Sequence, residues 1–381
     1  MSPLRLLLLS ASASLLACGG DPAPAPQPTK ATPEGAPEAT AATPEPTPEA
    51  TPEPTPAAPA VSTLPIAGDL CAVSGVERLP DGRLLVTDAG ISDAVTVFSA
   101  EGLGSESARV RLSFLSNEGP LPETIADLAG VAARGPLLAL VGSFAAAGEG
   151  CAMEQDRAKV LVGRADGELA WKQRMRLRPC DWNGAGCDGD GLLATEESCT
   201  GALFTSVLTT QGPFVCRELL AAETARAGGD CGAAFAIGGA TIVENRAGNK
   251  LWVGLKAPHY KGREAILLRF EEPVEKLSTF AFDRVTYLNL PEGHQIEGLG
   301  TDGANILGVT SASDGGDGRV FRFPVSALRD AATVEPEILR PPAPPSATGV
   351  LPGGTAVDVV FAGSPDGGSC AGGPKVGTWP L

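Results

Sequence analysis

The chain's only two histidines, His259 and His294, lie near Lys256, Arg263 and Glu297 in sequence. Cationic and protonatable groups brought into one mouth would suit an anionic ligand. Solvated loop positions would explain the same residues. Aspartate-rich turns raise a second chemistry, capture of a hard cation. The stretch DWNGAGCDGDGL, from Asp181 to Leu192, sets Asp181, Asn183 and Gly186 as a calcium loop would. Ala185 and Leu192 stand at its fifth and twelfth positions, where oxygen ligands are needed. In SDGGDG, from Ser313 to Gly318, Asp314 and Asp317 would bind a cation together with backbone carbonyls. A tight hairpin turn accounts for them as well. Calcium is therefore the only cofactor these residues raise. Nucleophilic catalysis finds less support. No G-x-S-x-G elbow is present, and no serine is marked as a partner for either histidine. Phosphate-loop and dinucleotide fingerprints are absent, because the glycine-rich pieces sit in hairpins.

Cysteine supplies the other reactive group. There are nine: Cys18, Cys71, Cys151, Cys180, Cys187, Cys199, Cys216, Cys231 and Cys370. Cys18 closes Leu15-Leu16-Ala17-Cys18 at the end of a short apolar run preceded by Arg5. The run is too short to span a bilayer as a mature helix. This layout resembles a bacterial lipoprotein signal, with Leu16 bulkier than the small residue usual there. The resemblance implies cleavage before Cys18, acylation of its thiol by palmitate-type chains and membrane anchoring. An ordinary secretory signal is the alternative. Gly19, where an aspartate would signal retention at the inner membrane, leans toward the outer membrane, facing the periplasm or the cell surface. The other eight cysteines form an even set, which in an exported domain reads as disulfides. Cys180 with Cys187 in a small loop and Cys199 with Cys216 across a hairpin are the expected local pairs. Zinc is disfavoured, because no CxxC pair exists and both histidines lie far from the cysteines.

These groups need elements to hold them, and residues 18–64 supply none. The tract is Pro, Ala, Thr and Glu with no core-forming residues until about Leu64. Such a segment cannot bury enough apolar surface to offset chain entropy. It should stay extended, at about 3.1 Å per residue, with a reach on the order of 140 Å. Of the formal net charge of −16, this tract contributes −5 and Arg5 +1, which leaves −12 from Pro65 onward. A domain that acidic approaches nucleic acid without neutralising phosphates, so nucleic acid is excluded as a partner.

Residues 65–381 carry the folded domain. Short apolar runs bounded by Gly, Pro, Asp and Asn dominate, and amphipathic helical stretches are hard to find. The runs recur in units: SGVERLPDGRLLVTDAG from Ser74, LAGVAARGPLLALVGSF from Leu128, GGATIVENRAGNKLWVGLKAP from Gly238, IEGLGTDGANILGVTSAS from Ile296 and ATGVLPGGTAVDVVFAGSP from Ala347. Each opens on a glycine and a β-run, turns, and continues in a more hydrophobic run. A further, poorly matching unit is placed at Leu192 to Leu220. The period fits the blades of an all-β propeller with five or six blades, interrupted by a cysteine-rich insertion near 180–231. A pair of β-sandwiches is the alternative. In a propeller, the residues just after each second run share one rim: Asp88, Ser143, Lys256, Ser311 and Ser364. His259, Arg263, His294 and Glu297 would line the same mouth.

The segments SGVERLPDGRLLVTDAG, DLAGVAARGPLLALVGS and LWVGLKAPHYKGREAILLRFEEP resemble a bacterial family of unknown function with propeller-type repeats. That family is itself similar to the esterase-like domains called phytase-like. IEGLG, from Ile296 to Gly300, is similar to an EGLA-type turn of those domains. The resemblance covers most of Gly68 to about Leu328. This chain departs from it at the cysteine-rich insertion and at Ala129, where an acidic residue is common. Two functions follow as expectations. One is a membrane-anchored scaffold that binds a protein, glycan or small anionic ligand. The other is a metal-assisted phosphoesterase or esterase, with Asp88, Asp127 and Glu297 as metal ligands.

Overall fold

A computed structural model describes residues 61–381 except 106, 118, 149, 155, 167–168, 177–195, 205–209, 330–331 and 363–372. The signal expected for residues 1–17 and most of the tether expected for 18–64 lie outside the described residues; Thr63 and Leu64, placed in the tether by sequence, already belong to the first strand of the domain, because they pair with its last strand.

After a short strand, β1 (Thr63–Pro65), the chain builds five mainly antiparallel sheets in succession. Blade 1 holds β2 (Val73–Arg78), β3 (Leu84–Asp88), β4 (Ala94–Phe98) and β5 (Ser107–Arg111). A hairpin of β6 (Ser113–Ser116) and β7 (Gly119–Pro122) precedes blade 2 and joins its outer edge. Blade 2 starts with β8 (Leu128–Arg134) and β9 (Leu137–Gly142). A small hairpin, β10 (Ala146–Ala147) and β11 (Ala152–Met153), follows, and β12 (Lys159–Arg164) and β13 (Ala170–Arg176) complete the blade. Two helices come next, α1 (Glu196–Ala202) and α2 (Gly212–Ala227). Blade 3 is β14 (Ala236–Asn245), β15 (Gly248–Ala257), β16 (Ala265–Pro273) and β17 (Phe282–Leu288). Blade 4 is β18 (His294–Thr301), β19 (Asn305–Ala312) and β20 (Gly318–Pro324). Before its last strand, β21 (Ala332–Val334) crosses back to pair in parallel with β17. The last strand of blade 4 is β22 (Glu337–Ala343), and blade 5 is β23 (Ala347–Gly353), β24 (Ala356–Phe361) and β25 (Lys375–Pro380).

The innermost strands, β2, β8, β14, β18 and β23, each pack against both neighbours, and β23 meets β2. The domain is therefore a five-bladed β-propeller. The start of the domain clasps its end: β1 pairs with β25, Leu64 opposite Val376. That pairing supplies the fourth strand of blade 5.

All five inner strands repeat one local event. Each has a register shift against its second strand, between Val73 and Gly75, Leu128 and Gly130, Ile237 and Gly239, Ile296 and Gly298, and Ala347 and Gly349. The extra residue, a β-bulge, is Ser74, Ala129, Gly238, Glu297 or Thr348. The glycine after it is where one blade touches the next. A Cβ on Gly75 would lie 3.0 Å from Val131 N, on Gly130 3.2 Å from Ala240 N, and on Gly239 2.7 Å from Leu299 N. On Gly298 it would lie 2.6 Å from Thr348 O, and on Gly349 3.4 Å from Gly75 Cα. The five contacts run 75 to 130 to 239 to 298 to 349 and back to 75. They draw the inner backbones close enough to shut the axis to a cavity of about 10 Å³.

No single core fills the molecule. Apolar side chains gather in five wedges, one between each pair of blades. Leu85, Val97, Val131 and Leu140 pack between blades 1 and 2. Trp252, Leu267, Ile306 and Phe321 fill the seam of blades 3 and 4. Blades 4 and 5 meet through Val309, Val320, Val350 and Val359, and blades 5 and 1 through Val76, Val86, Leu351 and Val360. Second strands lie between two neighbours, so every residue of β3 and β9 is buried. Outer strands face solvent, and β5 is exposed along most of its length.

The span from Leu192 to Leu220 is not a further blade. It carries α1 and the start of α2, docked on the seam of blades 2 and 3 through Leu203, Phe204, Val215 and Leu219. The Cys199–Cys216 pair forms as expected, with Cα atoms 5.7 Å apart, but it joins two helices and not a hairpin. Cys151–Cys231 ties the segment after α2 to the β10–β11 hairpin across 80 residues. Arg226 on α2 reinforces that tie by donating to the Cys151 carbonyl at 2.9 Å and to Glu223 at 3.1 Å. Cys71 is also disulfide-bonded. Cys18, Cys180, Cys187 and Cys370 lie outside the described residues. Disulfides of this number belong to an exported, oxidising compartment. Among the described residues, no helix is long and apolar enough to cross a membrane.

Candidate functional site

The five bulge residues line one cavity of about 190 Å³ at the mouth of the ring, above the glycine floor. Ser74 and Thr348 are stitched into the backbone. Ser74 donates to Thr87 Oγ1 at 3.1 Å, and Thr348 donates to the Val73 carbonyl at 2.5 Å, joining blades 5 and 1. Glu297 is nearly buried and takes three partners. Lys256 Nζ from blade 3 lies 2.5 Å from its Oε2. Its Oε1 accepts from Ser311 Oγ at 2.6 Å and from Gln295 Nε2 at 3.0 Å. Lys256 keeps about a third of its side chain exposed, so N–H groups remain to donate.

Asp127 forms the opposite wall with Ser143. Its backbone sits in the left-handed region, φ 53°, which aspartate tolerates better than bulkier residues. Ser143 N donates to the Asp127 carbonyl at 2.9 Å, and Ser143 Oγ to Asp127 Oδ2 at 2.7 Å. Arg157 Nη1 also donates to Oδ2 at 2.7 Å. Asp127 Oδ1 has no hydrogen-bond partner among the described residues. The mouth thus offers an open acceptor at Asp127 and open donors at Lys256.

The other sequence-derived positions scatter. Asp88 is buried and accepts from the amides of Cys71, Ala72 and Gly90 at 2.7, 3.1 and 2.8 Å. It fastens its own loop and does not line the mouth. His294 is buried, and its Nδ1 meets Thr310 Oγ1 at 2.8 Å. Burial, with Arg319 nearby, lowers its pKa below the usual imidazole range. His259 Nε2 donates to the His294 carbonyl at 3.0 Å. Arg263 is exposed in the turn that Tyr260 and Glu264 close, outside the mouth. Asp314 caps its hairpin by accepting from Gly316 N at 2.9 Å. Ser364 and the Asp181–Leu192 loop lie outside the described residues.

Of the cation cluster anticipated from Lys256, His259, Arg263 and His294, only Lys256 and His259 border one cavity, beside the mouth; Arg263 is exposed elsewhere, His294 is buried, and the one lysine in the mouth is offset by Glu297. The proposed metal set is not assembled. Asp88 is consumed by backbone amides and Glu297 by Lys256, Gln295 and Ser311, while Asp127 keeps only Oδ1 open, its Oδ2 being held by Ser143 and Arg157. Among the described residues, no three metal-ligating side chains converge. Ser74, Thr348, Gln295 and Arg157 were not singled out by sequence. For the first two the signal was present, because each immediately precedes or nearly precedes a unit's repeated glycine.

No family model and no curated protein matches this chain. Solved structures match at low identity. The PQQ-bound aldose sugar dehydrogenase of Streptomyces coelicolor is 13% identical, with a TM-score of 0.36, covering 85% of this chain and 99% of that one. The exo-β-1,3-galactanase of Phanerochaete chrysosporium is 10% identical with a TM-score of 0.41, covering 84% of this chain and 64% of that one. Virginiamycin B lyase of Staphylococcus aureus is 9% identical with a TM-score of 0.33, covering 84% and 99%. None of these likenesses bears on the chemistry of the mouth.

Proposed function

We propose that this protein is an exported bacterial lipoprotein whose propeller binds a small polar ligand at the mouth. Acylated Cys18 anchors it, at the outer membrane, and the proline-rich tract from Gly19 to about residue 60 holds the propeller away from the lipid. One observation carries the binding reading. All five blades place their bulge residue around one cavity, and that cavity offers Asp127 Oδ1 as an open acceptor with Lys256 as an open donor. Lys256 and Arg157 are each already paired with a carboxylate, Glu297 and Asp127, so no unpaired cation faces the mouth, and the domain's strong negative charge disfavours an anion. The ligand instead brings an ammonium or hydroxyl donor to Asp127 and an oxygen to Lys256.

The test is a thermal-shift panel on the intact chain with small amines, neutral polyols and carboxylates. Amines or polyols should raise the melting temperature, and Asp127→Asn should abolish the rise. Stabilisation by carboxylates alone would overturn the reading. Anchoring is tested separately, by metabolic labelling with an alkyne palmitate analogue. Label should appear in the parent and be lost in Cys18→Ala.

A further inference from the structure

Beside the mouth lies a second, larger cavity of about 470 Å³, between α2 and the rim of blades 3 and 4. Lys256 lines both cavities. Between them stands the network of Lys256, Glu297, Gln295 and Ser311. The size matters. Small-molecule pockets usually span roughly 300–1,000 Å³, so the mouth alone falls short and the side chamber does not.

The two walls of the chamber differ in chemistry. The rim wall presents hydrogen-bonding atoms left over after internal pairing. Both Nε2 hydrogens of Gln295 are spent on Glu297 and Ser311, at 3.0 and 3.1 Å, which leaves its Oε1 to accept. His259 Nε2 is spent on the His294 carbonyl, so Nδ1 is the ring nitrogen left for a ligand. Lys256 keeps donors. The wall thus offers an amide acceptor, a histidine ring nitrogen and a lysine donor. The facing wall is α2, which turns Ala221, Ala222 and Ala225 toward the space, with Glu218 at one end, where its Oε1 accepts from Lys261 N at 3.2 Å. No Phe, Tyr or Trp side chain lines either cavity. A sugar ring or a base finds only the edge-bonded His259 imidazole to stack on.

We infer that the mouth and the chamber form one elongated site for a short peptide with small side chains. This rests on the mouth being a binding site. The peptide's ammonium suits Asp127, its backbone N–H and C=O groups suit Gln295, His259 and Lys256, and its small side chains suit the alanines of α2. The disulfide Cys199–Cys216 and the Arg226 contact to Cys151 hold that alanine wall in place.

The experiment is calorimetric titration of the intact, oxidised chain with alanine amide, trialanine amide and maltotriose. Trialanine amide should bind at least tenfold more tightly than alanine amide. In Ala225→Phe, which fills the chamber, the ratio of the two affinities should fall to near one. Ala221→Phe is the second variant, at an exposed position where folding is not at stake. A ratio unchanged in both variants overturns the chamber, as does maltotriose binding the parent more tightly than trialanine amide. Failure of the mouth itself reads differently: Asp127→Asn would leave alanine amide binding unchanged.

Discussion

The floor of the mouth is built from one residue type used five times, and its wall from five different residues one position earlier on the same strands. Gly75, Gly130, Gly239, Gly298 and Gly349 form the floor; Ser74, Ala129, Gly238, Glu297 and Thr348 form the wall. The floor is where neighbouring backbones touch, so a side chain there meets the next blade. The wall residue is pushed out of the ladder by its bulge and faces the cavity. Closure of the ring fixes one position and leaves the other free to vary. Gly238 is the exception. A Cβ there would lie 1.8 Å from the Ile296 carbonyl oxygen, so in blade 3 the wall is constrained by packing too.

The strongest way to break this contrast is to grade the floor. Gly239→Ala places its methyl 2.7 Å from a backbone nitrogen, whereas Gly349→Ala places one at 3.4 Å, an ordinary contact. The first should cost about 3 kcal/mol or more and the second under about 1 kcal/mol. Urea unfolding measures both. Equal costs would mean that inter-blade contact does not select the glycines.

A second effect comes from Glu77, two residues beyond the floor glycine on β2. It is buried, its Oε1 accepts only weakly from Ala133 N at 3.3 Å, and desolvation raises its pKa from 4.5 to about 8. Between those values the folded chain holds a proton that the unfolded chain has lost. Its contribution is complete below pH 4.5 and is lost as pH rises toward 8, by about 3 kcal/mol between pH 5 and pH 8. Glu77→Gln should remove that slope. His294 works in the opposite sense. Its lowered pKa makes folding less favourable as pH falls below the ordinary imidazole range. The difference in pH dependence between parent and Glu77→Gln isolates the carboxyl.

Wall substitutions should cost least. Thr348→Val removes a hydrogen bond between blades 5 and 1 and should cost about 1 kcal/mol. Ala129→Ser should change stability by no more than about 0.5 kcal/mol while adding a hydroxyl to the mouth. A loss of several kcal/mol at Ala129 would place the wall under the same constraint as the floor.

Much of the floor was legible in the sequence, because closure repeats. A glycine at the head of each unit marks the blade contact, and the apolar second run marks the strand that both neighbours cover. The wall was legible only in part. Taking residues after the second run finds Ser143, Lys256 and Ser311, which do reach the mouth or its network. It also finds Asp88, whose oxygens serve backbone amides that no spacing reveals. The expected cation cluster is met only by Lys256 and His259, which border one cavity, because Glu297 offsets Lys256, Arg263 stays outside and His294 is buried. Helix α2 left no apolar stripe to read. Its buried positions include Glu223 and Arg226 beside Val215 and Leu219, so polar and apolar residues share one face. The span from Leu192 to Leu220 therefore read as a further, poorly matching unit, although the Cys199–Cys216 pair itself was within reach of local spacing.

The sharpest trial sets two adjacent residues of β18 against each other. Glu297→Gln keeps the shape of the wall, and Gly298→Ala adds one methyl 2.6 Å from the Thr348 carbonyl oxygen. Urea unfolding of the intact chain should show a loss of about 1 kcal/mol for the first and about 3 kcal/mol or more for the second. Comparable losses, or the reverse order, would contradict a ring whose floor is set by closure and whose wall is free to serve a ligand.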